Sequence, residues 1–404
     1  MTFRRLATTS PLLCLAGLPA CSGANTGTPF LVRDSAGVEI VENHSPAWND
    51  GSAWTVGPEP VLEIGRQQGD AAYQFDQIAG VIRLDDGRLV VGDGGSSEIR
   101  IFNVDGTLLS QVGGRGGGPG EFETMGTLGR GDGDTFWVYD FSLRRLSFFT
   151  ADGDLQNSAT LDPEIQTLNV TGRLDDGSFV LHQLWGAART GERVAIGLRR
   201  DPVVYARFAA DGALLDTIRQ FPGLEINVTQ EDGRLVMGSA LFGRNSSSAT
   251  AGNAVFIGDQ ERFEIGAYSA DGSLHRLIRI PEVDLSISSA ELESLKERQV
   301  EAAPDHQRAA RRAYLEEVEV PATRPAYQSL LVDETGNLWA SEYARPPDVS
   351  GEWTVLNAAG RWLGSVAMPR RFRPYQIGDS WILGVAWDEV DVESVRLYDL
   401  RKPD

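Results

Sequence analysis

Five acidic residues each close a short apolar or aromatic run: Asp93 after LVVG, Asp140 after FWVY, Asp259 after VFIG, Glu342 after LWAS and Asp388 after ILGVAW. Carboxylates converging from several such runs could hold a hard cation such as Ca²⁺ through oxygen ligands. That is the physical route to a metal-dependent hydrolase or lyase. Each carboxylate could equally cap its own loop by accepting local backbone N–H bonds. Arg115, Arg244, Arg262 and Arg345, with His182 and Trp185 nearby, form the opposite candidate set. Guanidinium forks clamp a carboxylate or phosphate ligand bidentately, or they pair with acidic neighbours. Other chemistry is thin. His44, His182, His275 and His306 share no ligand spacing, and neither HExxH nor GxSxG occurs. The run GRGGGPG lacks a terminal Gly-Lys-Ser/Thr and leads into a strand, so no helix N-terminus is there to hold phosphate.

The elements that must position these residues belong to a chain of 404 residues, 41% hydrophobic and 23% charged, with a formal net charge of −20. An acidic surface repels phosphates, which argues against a nucleic-acid binder. Two cysteines cannot build a disulfide framework or a thiolate zinc site. The start reads as an export signal over residues 1–20: Arg4 and Arg5, then an apolar core from Leu12 to Leu18, then Ala20 before Cys21. Leu18-Pro19-Ala20-Cys21 resembles a bacterial lipobox, which implies Cys21 as a lipid attachment site; plain secretion with Cys21 as a bystander is the alternative. Residues 21–29 are then a tether of small polar residues. The expected location is the bacterial cell envelope, facing the periplasm or the outer surface, with the membrane touched only through the anchor.

A repeat fills the rest, residues 30–404. Each unit has a Gly turn, a β-branched or aromatic run, a polar gap, a second run and an Asp-Gly or Ala-Gly turn. The first turns fall at Gly87, Gly133, Gly177, Gly252, Gly336 and Gly378, and the second at Gly106, Gly153, Gly212, Gly272 and Gly360. Asp and Gly tolerate the positive φ of hairpin turns, so these runs are strands. Four strands per unit, repeated six times, predict an all-β six-bladed β-propeller. The sixth unit ends after its third strand, VRLYDL, so Val61 to Gly65 is predicted to supply the fourth and remove the open edge. The hairpin FLVRDSAGVEIVEN is an added outer element.

The stretch VGGRGGGPGEF, followed by DGRLVV-type and EIRIFNVDG-type runs, resembles NHL-type six-bladed propeller repeats over roughly residues 55 to 400. That resemblance implies an interaction platform, with lyases or lactonases among the relatives.

Intervals between first turns are longest from Gly177 to Gly252 and from Gly252 to Gly336. The excess falls in HQLWGAARTGERVAIGLRRD, in FPGLEINVTQEDGRLVMGSALFGRN and in Pro281 to Tyr327, read as loops and connections on one propeller face. Loops on a rigid scaffold commonly carry binding residues. A helical insertion is expected at about 286–318. Ser288 and Glu291 fit a capping box, Leu292, Leu295 and Val300 form a stripe, and a second helix follows Pro304 with Ala309, Ala313 and Leu315 inward. The insertion is either a space-filling cap or a partner-binding pair. The expected function is a monomeric binding module whose loop-rich face takes a small molecule or a protein; the alternative is a lactonase-like or lyase-like metal enzyme.

Overall fold

Short apolar runs between Gly turns become strands because alternate residues can face the neighbouring sheets while the turns reverse the chain. In the computed structural model, which describes residues 29–49, 51–184, 195–231, 233–343 and 351–403, strands assemble into six sheets in chain order. The first sheet is typical: Ile78–Arg83, Leu89–Asp93, Glu98–Phe102 and Leu108–Gly113, each strand antiparallel to the next. The turns that predicted these hairpins adopt the required backbone, with Gly87 at φ +88° and Gly106 at φ +82°.

The innermost strands close a ring. They are Ile78–Arg83, Met125–Arg130, Leu168–Arg173, Ser247–Ala251, Leu330–Val332 and Phe372–Ile377. Each packs on the next, and the last returns to the first. Thr127 Oγ1 donates to Asn169 Oδ1 (3.2 Å) and Ser247 Oγ to the Gln328 carbonyl (2.7 Å). The Thr171 and Ser248 hydroxyls lie 3.0 Å apart. The Glu334 amide donates to the Ile377 carbonyl (3.0 Å), and the Arg83 amide to Gln376 Oε1 (2.7 Å). Sheets in sequence, closed through their inner strands, make the architecture a β-propeller.

The core lies between faces of adjacent sheets. Phe122, Phe136 and Phe149 are fully buried with Ile99 and Ile101 between the first two sheets, and the rings of Phe136 and Phe149 stack at 5.2 Å. Each such side chain removed from water contributes roughly 1.5–3 kcal/mol.

Two chain segments before the first sheet find distant partners. Leu62–Ile64 pairs antiparallel with Glu393–Arg401, as the missing-strand argument requires, and Thr55–Val56 extends the same partner. The hairpin of Phe30–Ser35 and Val38–Asn43 attaches elsewhere, with its second strand running parallel to Leu274–Arg279 of the fourth sheet. Buried Asn43 fixes it there: its Nδ2 donates to the Gly360 carbonyl (2.9 Å), and its Oδ1 accepts from the Trp362 amide (2.9 Å) and Arg361 Nη1 (3.0 Å).

Between the fourth and fifth sheets lie helix α1 (Ser289–Glu301) and helix α2 (Arg308–Glu317). The capping box holds: the Ser288 hydroxyl accepts the Glu291 amide (3.2 Å), and the Glu291 carboxylate accepts the Ser288 amide (3.0 Å). The inward face of α2 is corrected. Leu315 is buried, but Ala309 and Ala313 are exposed, because at 3.6 residues per turn they fall on the side of α2 away from Leu315.

Candidate functional site

A second correction concerns the third unit. Residues 197–201 and 221–231, read above as loop and connection, are strand. Gly197–Phe208 and Leu214–Glu231 pair from Phe208 opposite Leu214 out to Gly197 opposite Val228, and Arg234–Ser239 adds a further strand. Register breaks at Arg200/Pro202 absorb the proline, which cannot donate to the ladder. A ribbon thus runs on beyond the ordinary four-strand sheet.

The turn that follows this ribbon packs on the helical insertion. Leu241, Phe242, Val300, Leu315 and Val318 are buried together in a core of their own, with Leu292 and Leu295 of α1 and Tyr314 of α2 packed around it. Polar stitches reinforce the contact. Asn227 Nδ2 donates to the Glu319 carbonyl (2.8 Å), and Glu319 Oε2 accepts the Leu198 amide (3.4 Å). The two largest elaborations are therefore one platform rather than separate loops.

Its root is polar and well paired. Glu225, 4% exposed on the ribbon, accepts Arg244 Nη2 on Oε1 (2.6 Å), and on Oε2 both Arg244 Nε (2.9 Å) and the Arg244 amide (3.1 Å). Burial pushes the Glu225 pKa up, but these bonds outweigh it and hold the carboxyl below its usual range. Arg200 spans ribbon and fourth sheet, donating to the Gly223 carbonyl (2.9 Å) and the Asp259 carbonyl (3.0 Å). Gln260 joins the fourth and fifth sheets through the Asn245 amide (2.7 Å), Ser247 Oγ (2.8 Å) and the Gln328 carbonyl (2.6 Å).

The five acidic candidates stand apart, each on its own loop. Asp93 Oδ1 accepts the Asp76 and Gly95 amides (3.3 and 3.2 Å), while Oδ2 pairs with Arg100 (2.8 Å). Asp140 Oδ2 accepts the Glu123 and Thr124 amides (2.7 and 3.1 Å), and Oδ1 the Leu143 amide (2.8 Å). Both are almost wholly buried. Each ties the second-to-third strand loop to the connection entering its sheet, so those two sets of loops share one face. Asp259 caps the Glu261 amide (3.0 Å), and Asp388 caps those of Val390 and Val392 (2.9 Å each). Glu342 is exposed. Among the described residues, no three His, Cys, Asp or Glu side chains come together in a way that could hold a metal ion.

The basic candidates disperse as well. Arg115 reaches the Gly95 carbonyl (3.4 Å) over the first sheet, Arg244 is engaged by Glu225, and Arg262 is exposed. Cys21, Trp185 and Arg345 lie outside the described residues. His182 sits on the second strand of the third sheet, between Asn169 and Tyr205. Its Nδ1 is 2.9 Å from Thr171 Oγ1 and its ring stacks on Tyr205 at 5.3 Å. Burial lowers its pKa to about 4, so it is neutral at ordinary pH.

Sequence reasoning missed Glu225, Arg200 and Gln260. No motif marks them; only a strand assignment for the ribbon would have shown that Glu225 is buried.

No protein-family model matches the sequence, and no curated protein matches it. Solved structures do. A protein of Bacteroides fragilis described as exported is 12% identical, with 90% of this chain and 99% of that one covered and a TM-score of 0.48. A member of the DUF4221 family from Bacteroides vulgatus is 12% identical, with coverage of 88% and 100% and a TM-score of 0.53. Virginiamycin B lyase from Staphylococcus aureus is 11% identical, with coverage of 85% and 99% and a TM-score of 0.41. Likeness at such identity is likeness of fold alone.

Proposed function

We propose that this chain is an exported six-bladed propeller of NHL-like repeats, whose elaborated face binds a protein partner. The observation that carries the reading is the shared core of Leu241, Phe242, Val300, Leu315 and Val318, in which the turn leaving the ribbon packs on the helices; with the Asn227–Glu319 bond it makes ribbon and helices one fixed surface. Fixed surfaces bind with less loss of conformational entropy than loops do. The strand Arg234–Ser239 is last in its sheet, and its outward residues Leu235 and Met237 are 47% and 58% exposed. A free strand edge with apolar side chains suits an extended segment of a partner, which would gain backbone hydrogen bonds and apolar contact together. Export is supported by the Arg4-Arg5 start and the apolar core before Cys21, and the lipid anchor by the lipobox-like run.

In detergent extracts of the native envelope, the wild-type chain is expected in a complex larger than the monomer. Met237→Glu should return it to monomer size with an unchanged melting temperature. A monomeric wild type, or a variant that stays in the large species, would contradict the reading. Palmitate labelling of the wild type, lost in Cys21→Ser, tests the anchor separately.

A further inference from the structure

A cleft of about 510 Å³ opens between the second and third sheets, at their hairpin turns and away from the elaborated face. Its volume falls within the range of small-molecule sites. One wall is the outer half of the second sheet, where Phe148 lies opposite Asn157. The floor carries Asp132 and Arg173, joined by two parallel bonds of 2.8 and 2.6 Å, with Asp132 83% exposed. Asp211, from the turn between the third and fourth strands of the third sheet, lines the far side.

Consecutive strand residues normally face opposite sides of a sheet. Here the register slips, so that Phe148 pairs with Asn157 but Phe149 with Leu155, leaving Gln156 unpaired. The bulge lets Gln156 and Asn157 both line the cleft. The same bulge recurs in four other sheets, but the corresponding pairs are Leu109-Ser110, Leu215-Asp216, His275-Arg276 and Leu363-Gly364. Beside two of those pairs an arginine is engaged: Arg207, opposite Asp216, bonds Asp176 and Asp216, and Arg276 itself bonds Glu39 and the Ala358 carbonyl. The second sheet alone offers two adjacent side-chain amides.

We propose that this cleft binds a neutral sugar ring. Hydroxyls of a pyranose both donate and accept, matching carboxylates that only accept and amides that do both. The ring of Phe148 supplies an apolar surface for the C–H face of the sugar. An anionic ligand would meet Asp132 and Asp211, and an apolar one would leave the amides and carboxylates desolvated and unpaired.

Saturation-transfer NMR with the methyl pyranosides of glucose, galactose, mannose and N-acetylglucosamine tests this, with putrescine as a cationic comparison. At least one glycoside is expected to show saturable transfer. The double variant Gln156→Ala/Asn157→Ala should weaken it at least tenfold, and Leu109→Ala in the first sheet should leave it unchanged. If the double variant melts at a lower temperature, Asn157→Asp, which keeps the shape and removes two donors, should still weaken it severalfold. The proposal is overturned if no glycoside gives saturable transfer, if transfer survives these changes undiminished, or if putrescine binds the cleft in place of the glycosides.

Discussion

Arg244 grips Glu225 with Nε, Nη2 and its own backbone amide, so one carboxylate at the root of the ribbon answers three donors. Removing one partner of a buried pair strands the other charge, which typically costs ~3–5 kcal/mol. Glu225→Ala is therefore expected to destabilise the protein by that order in urea unfolding. The pair also sets an acid limit. Because the folded Glu225 pKa lies below its ordinary 4.5, its contribution is present above that value and is lost as pH falls through the folded pKa. Wild-type melting temperature should drop more steeply than that of Glu225→Gln below pH 4.5.

His182 works over a higher window. Its folded pKa is about 4 against 6.5 for the free side chain. Between those values the unfolded chain binds the extra proton, so stability falls as pH drops from 6.5 towards 4. The full effect is at most ~3 kcal/mol. His182→Asn should flatten melting temperature against pH over this range. An unchanged slope would mean that the imidazole protonates freely in the folded state.

Glu63, Ile64 and Gly65 lie at the seam where the last sheet takes its added strand. Ile64 is 2% exposed between Leu383 and Val395, whereas neighbouring Glu63 makes a half-exposed pair with Arg396 at 2.8 Å. Ile64→Ala should cost ~2–5 kcal/mol, and Glu63→Ala under ~1 kcal/mol. Gly65 follows at φ +147°, where a Cβ would lie 2.8 Å from the Glu393 carbonyl oxygen. Gly65→Ala should accordingly destabilise far more than Glu63→Ala, although both lie at the same seam. Chemical denaturation of the three variants decides the order.

What was legible in the sequence follows from the range of the interactions. Gly87 and Gly106 announce their turns because positive φ is a local demand, and the Ser288/Glu291 box closes within one helical turn. The donated strand at Leu62–Ile64 was inferable because the last unit lacked one. The ribbon was not, since Pro202, Pro222 and Gly223 punctuate it like a loop while bulges and cross-strand pairs carry it through. Nor was the docking of Val38–Asn43 on the fourth sheet, which depends on Asn43 meeting Gly360 and Trp362 far along the chain. The candidate site suffered most. Its acidic and basic residues were found by type, but Asp93 and Asp140 are consumed by backbone amides and Arg244 by a glutamate hidden in the ribbon.

The central claim is that the ribbon-and-helix face is where a partner protein sits. Site-specific photocrosslinking in intact cells of the native host tests it most directly, with p-benzoylphenylalanine placed at Met237 on that face or at Val104, 55% exposed on a hairpin turn of the opposite face. We expect a discrete protein adduct from position 237 and none from position 104. Adducts that are the same from both positions, or absent from position 237, would contradict it.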